Sequence, residues 1–119
     1  MQVARFAHSL LAAHQVVMEA LVRGDALARR LPRGCAKLAD QLRRALLRAF
    51  LQFLEGACRE GADRRARLRC ARAEAGEAAA ALEAAHAPGL APAGEPEALV
   101  ALRDRFSAMV TGLGQLGTS

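Results

Sequence analysis

From Lys37 to Arg59 the polar positions Lys37, Gln41, Arg44, Arg48, Gln52, Glu55 and Arg59 recur at steps of three or four, which draws one narrow line along a helix. Most other positions are apolar. Leu38, Leu42, Ala45, Leu46, Leu47, Ala49, Phe50, Leu51, Phe53, Leu54 and Ala57 spread over most of the circumference, well beyond the roughly 100° stripe that a surface helix needs. Such a helix wants neighbours on several sides. It sits at the centre of a bundle or also forms a subunit interface, because a chain of 119 residues has few other elements to surround it.

The pattern predicts three further helices. Over residues 2–30, Val3, Phe6, Leu10, Ala13, Val17 and Leu21 follow one another at steps of three or four residues, and Gly24-Asp25 marks a place for a kink or pause. Leu31-Pro32-Arg33-Gly34 then makes a compact turn, since proline disfavours helical geometry in the residue before it. The central helix covers about 36–60, with Gly56 admitting a close neighbour. The third, about 62–86, is arginine-rich at first and then almost polyalanine, with Leu82 as its one large anchor there. Residues 86–96, HAPGLAPAGEP, read as a loop, and a fourth helix over 96–115 carries Leu99, Leu102, Phe106, Met109, Leu113 and, just past its end, Leu116 as a bundle seam.

Composition narrows the class. With 53% apolar residues, no Trp or Tyr and abundant Ala, Leu, Arg and Glu, the chain favours helix and has little with which to build strands. The expected fold is therefore all-α, one domain over 1–119, an up-down-up-down four-helix bundle. No apolar run approaches the roughly 18 to 20 residues of a membrane span, so no membrane partner is expected. His8, Gln15 and Glu19 interrupt the apolar N-terminal stretch, which reads as a mature helix rather than a signal peptide and points to the cytoplasm.

The net charge of +5 is unevenly distributed. Residues 1–36 hold five basic and two acidic residues, 37–72 hold ten against four, and 73–119 hold two against six. Sixteen of the seventeen cations are arginine, the side chain suited to bidentate contacts with phosphate or carboxylate. A solvated arginine face and a nucleic-acid surface account for this equally well. Arg65, Arg69 and Arg72 share one face of the third helix, with Arg64 and Arg67 flanking them.

Motifs for catalysis are missing. There is no HExxH, P-loop, GxSxG or paired-carboxylate pattern, and Glu55 has no acid, base or metal partner in sequence, so the chain reads as no enzyme. His8 and His14 stand six residues apart and point in different directions, while Cys35, Cys58 and Cys70 match no ligand spacing and read as reduced packing material. No metal and no cofactor is expected.

The run LPRG, then LADQLRRALLRAFLQFLEG, ARAEAGE, LEAAHAPGL and LRDRFSAMVTGL resembles a bacterial four-helix-bundle family over nearly the whole chain. That family contains the proteins encoded in intervening sequences of large-subunit ribosomal RNA genes and the accessory variability determinants (Avd) of diversity-generating retroelements. No single motif is diagnostic. DQLRRA at Asp40–Ala45 and Glu55-Gly56 resemble the ribosomal branch, whose Ser-Ile-Pro-Ser-Asn-like segment is replaced here by Arg48-Ala49-Phe50-Leu51-Gln52. ALLRAFLQFLEG and Ala85-His86 resemble the Avd branch, which is the favoured reading. The Avd resemblance implies a non-enzymatic homopentameric barrel that binds a reverse transcriptase and template RNA or its cDNA in mutagenic reverse transcription. The ribosomal branch implies a structural or protein-interaction module. By resemblance, Arg44, Arg48, Arg59, Arg65, Arg69 and Arg72 would contact nucleic acid or polymerase.

Overall fold

The computed structural model describes residues 2–86 and 95–116, and every element among them is helical. Helix α1 spans Gln2–Arg30, α2 Ala36–Ala57, α3 Gly61–His86 and α4 Glu95–Leu116, with a 3-10 turn at Arg33–Cys35 between the first two. Helices α2 and α4 match the sequence expectation closely, α2 ending three residues earlier than expected and α4 starting one residue earlier. Most of the proline-rich loop expected at 86–96, from Ala87 to Gly94, lies outside the described residues. None of the described helices is long and apolar enough to cross a membrane.

The helices form a square. The backbones of α1 and α2, α2 and α3, α3 and α4, and α4 and α1 run side by side, while across the diagonals only long side chains meet, Arg64 with Phe6 and Phe53 with Phe106. Neighbours run antiparallel: the His14 ring lies 5.7 Å from that of Phe50 while Asp25 meets Arg43, and Arg72 in the first half of α3 reaches Thr111 in the second half of α4. This is the expected antiparallel four-helix bundle. It presents two broad outer faces, α1–α2 on one side and α3–α4 on the other.

Nearly half of the buried core residues are alanines, among them Ala45, Ala49, Ala71, Ala75 and Ala78. Small side chains let the helix axes approach but bury little area each, so a few large groups carry the core: Phe53, Phe106, Leu27, Leu42 and Leu113. Close approach is sharpest at two glycines. Gly24, expected to interrupt α1, lies in an unbroken helix, and a Cβ there would collide with the Leu46 side chain. At Gly56 a Cβ would come within 2.9 Å of Leu68, as the expected close packing requires.

The α2–α3 connection is the tightest. Cys58 caps α2, and Gly61 takes a positive φ of 58°, the only one among the described residues, to turn the chain into α3. Arg64 in the first turn of α3 folds back, donating from Nε to the Gly56 carbonyl at 3.2 Å and from Nη2 to that of Ala57 at 3.4 Å. Its guanidinium also lies 4.2 Å from the Phe6 ring centroid. One side chain thus closes the C-terminus of α2 and ties α1 to α3.

Candidate nucleic-acid interface

The six arginines expected to contact nucleic acid fall on two different flanks of α3. Arg44 and Arg48 belong to the α2 edge that faces α3, and Arg59 follows the C-cap of α2 in the turn to α3. Arg44 and Arg48 line a shallow groove with Glu77, over a floor of Leu38, Ala81 and Ala84. Carboxylates already occupy two of these three cations. Arg44 is paired with Asp40 at 3.1 Å, and Arg59 is held between Glu55 and Asp63, each at 3.0 Å. Both acids raise the Arg59 pKa, the Glu55 hydrogen bond most. Arg48 makes no ion pair among the described residues, but its charge acts on Glu74.

The α2 polar stripe is therefore compensated at Arg44 and Arg59. Oε1 of Gln52 on α2 and Oε2 of Glu74 on α3 are each buried without a hydrogen-bond partner. Desolvation pushes the Glu74 carboxyl above its ordinary pKa of 4.5 and neighbouring Glu77 pushes it further, with Arg48 opposing. The folded state thus holds this proton more tightly than the unfolded chain. Its stabilising contribution is complete below pH 4.5 and is lost as pH rises through the raised value. Glu74→Gln should therefore melt at a higher temperature than the wild type at pH 8, with the difference shrinking towards pH 4. A pH-independent difference would show that the carboxylate charge is not the cause.

The other flank of α3 faces α4. Arg65, half-buried, and Arg69, exposed, make no ion pair among the described residues. Arg72 donates from Nη1 to the Thr111 hydroxyl at 3.0 Å, and that hydroxyl donates to the Ser107 carbonyl at 2.9 Å. A neutral hydroxyl leaves the Arg72 charge uncompensated. At 1.5 Å of rise per residue the three guanidinium bases are strung over about 10 Å of helix. This flank carries three cations without a carboxylate partner among the described residues, at a spacing that suits a run of phosphates, whereas on the α2 side Arg44 and Arg59 are paired with acids.

Two features escaped the sequence reading. Arg64 lies four residues before Leu68 and seven before Ala71, so its periodicity put it on the core face, yet its charge grouped it with the exposed arginines. Thr111 as the Arg72 partner carried no sequence signal. Cys58 and Cys70, expected as packing material, are exposed free thiols, and only Cys35 is half-buried. No group of His, Cys, Asp or Glu among the described residues is arranged to hold a metal ion. No protein-family model matches this chain, and no curated protein matches it at a significant level.

Proposed function

We propose that this protein is a non-enzymatic, RNA-binding accessory factor that presents the α3 flank of Arg65, Arg69 and Arg72 to a phosphate backbone. The observation that carries this reading is the contrast in pairing: Arg44 and Arg59 are held by Asp40, Glu55 and Asp63, while Arg65 and Arg69 make no ion pair among the described residues and Arg72 donates to a neutral hydroxyl. The resemblance to the Avd branch adds the biological setting. A cytoplasmic homopentamer would hold template RNA or cDNA for the reverse transcriptase of a diversity-generating retroelement.

Three phosphate contacts predict a log–log salt slope of about −2 on single-stranded RNA and about −2.7 on duplex DNA. Arg65→Ala with Arg69→Ala should weaken RNA binding at low salt at least tenfold, reduce the single-strand slope by about 1.4 and leave the melting temperature within a few degrees. Arg44→Ala should change binding little. Salt-titrated fluorescence anisotropy measures all three quantities. Absence of RNA binding at low salt, or equal loss in the α2 and α3 variants, overturns the assignment. A second reading, a protein-interaction module of the ribosomal intervening-sequence type, is favoured by the exposed leucines of α2. Capture of a reverse transcriptase by the Arg65/Arg69 variant, without nucleic acid, would support it.

A further inference from the structure

The second half of α3 is almost polyalanine, and its side towards α2 leaves a hollow. Along that side α3 presents Glu77, Ala80, Ala81 and Ala84, while α2 presents Leu38, Gln41, Arg44 and Arg48 at steps of three, three and four. Methyl groups facing long side chains do not fill the space between two helices. The result is a half-open groove of about 520 Å³, which runs over about 15 Å of α2 and falls within the size range of small-molecule sites. At the other end of the same helix pair the contact is tight, with Leu68 filling the space beside Gly56.

The walls of the groove carry opposite charges that do not meet. Arg44 on the α2 wall is already balanced by Asp40 at 3.1 Å. Arg48 on that wall and Glu77 on the α3 wall are both exposed and line the same groove, yet neither makes an ion pair among the described residues. Glu74, one turn before Glu77, feels the Arg48 charge but keeps Oε2 buried without a hydrogen-bond partner.

We propose that this groove binds a small zwitterion with an apolar body, the chemistry of a free aliphatic amino acid or a short apolar peptide. The ligand carboxylate goes to the Arg48 guanidinium, its ammonium to the Glu77 carboxylate, and its aliphatic part lies on Leu38, Ala80 and Ala84. Charge complementarity selects this class. A nucleotide or a fatty acid satisfies Arg48 but sets a second anion against Glu77, and a polyamine satisfies Glu77 but faces two arginines. An uncharged lipid covers both charges and pairs neither. A dipolar molecule leaves neither wall with a covered, unpaired charge. An extended peptide of two to four residues, at roughly 3.5 Å per residue, also matches the length of the groove. The site lies on the opposite flank of α3 from Arg72, so it goes beyond the RNA reading and stands without it.

Titration of the isotope-labelled full chain with leucyl-leucine, followed by amide chemical shifts near neutral pH, tests the proposal. Saturable shifts confined to the groove stretches of α2 and α3, with a Kd of about 0.1–1 mM, are expected for a half-open site of this size. Free leucine titrated alongside separates the two sources, the tighter binder naming the ligand. N-acetyl-leucyl-leucine and leucyl-leucine amide each lack one charge and should bind at least tenfold more weakly. Arg48→Gln and Glu77→Gln should weaken the unmodified dipeptide to a similar degree. Ala80→Leu with Ala84→Leu, both at exposed positions, should fill the groove and abolish binding with helical circular dichroism intact. The Arg65→Ala with Arg69→Ala variant should bind the dipeptide as the wild type does. Absence of saturable shifts up to tens of millimolar of either probe overturns the proposal, as does equal binding of the blocked dipeptides, because the groove then reads the apolar body alone. Absence of binding together with a non-additive loss of melting temperature in Arg48→Gln and Glu77→Gln would mean that the two charges pair with each other across the groove.

Discussion

Phe53→Ala should lower the stability of the fold by about 3–5 kcal/mol, the range for truncating a fully buried aromatic residue. Phe53 is 1% exposed on α2, and its ring meets Phe106 of α4 edge-on, with centroids 5.7 Å apart and planes inclined by 66°. The His14 ring of α1 lies 6.4 Å away. Phe53 thus joins three helices, one of them across the diagonal of the square. The alanines that make up much of the surrounding core are too short to close the cavity it would leave. A small domain has about 5–15 kcal/mol of total stability, so the variant should lose a large part of it. Urea denaturation followed by circular dichroism should show a lower midpoint for Phe53→Ala and a much smaller change for Phe50→Leu. A Phe53→Ala midpoint within error of the wild type would mean that the core closes around the gap.

The seam of α4 was legible because its core positions are large: Leu99, Leu102, Phe106 and Leu113 are all buried at the expected spacing, with Val110 added beside Met109. On helix α1 the expected line holds, with Ala13 and Val17 buried and Phe6, Leu10 and Leu21 half-buried against the core. A line at 3.5-residue spacing drifts by roughly 20° per heptad around a straight helix, so Val16, Ala20, Gly24 and Leu27 join it on the inner side. Helix α2 was ambiguous. When nearly every position is apolar, periodicity cannot say which side faces in, and here Ala39, Ala45 and Ala49 are inside while the bulkier Leu47, Leu51 and Leu54 are outside. Close packing against Gly24 and beside Gly56 selects the narrow side.

The arginine pattern was separable one helical turn away. Arg44, Arg48 and Arg59 formed as regular a line as Arg65, Arg69 and Arg72, but Asp40, Glu55 and Asp63 stand four residues from Arg44 and Arg59 and pair with them, whereas no acid stands three or four residues from Arg65, Arg69 or Arg72. What sequence could not show is the neighbour across the bundle: Glu74 and Glu77 belong to the α3 flank that faces α2, while Thr111 is the group that faces Arg72.

Arg64 separates charge that holds the fold from charge that serves binding, and its replacement should have the opposite signature to that of its neighbour Arg65. Arg64→Ala removes donors to the terminal carbonyls of α2, a cation over the Phe6 ring, and a positive charge at the negative end of the α2 dipole. A charge-assisted hydrogen bond contributes about 1.5–3 kcal/mol, an exposed to partly buried cation–π contact about 0.5–2 and the dipole about 0.3–1. These contributions overlap in a single side chain, so a net cost of about 2–3 kcal/mol is expected. Arg64→Lys should recover part of it, because an ammonium keeps the charge but cannot bridge two carbonyls and stack on a ring with one planar group. RNA affinity measured well below the melting transition should be unchanged in Arg64→Ala, since the guanidinium is turned inward to the end of α2. Arg65→Ala should show the reverse, with nearly unchanged melting and weaker, less salt-dependent binding. If Arg64→Ala weakens RNA binding as much as Arg65→Ala while its folded population is intact, the phosphate path runs over the α2–α3 corner rather than along the α3–α4 flank.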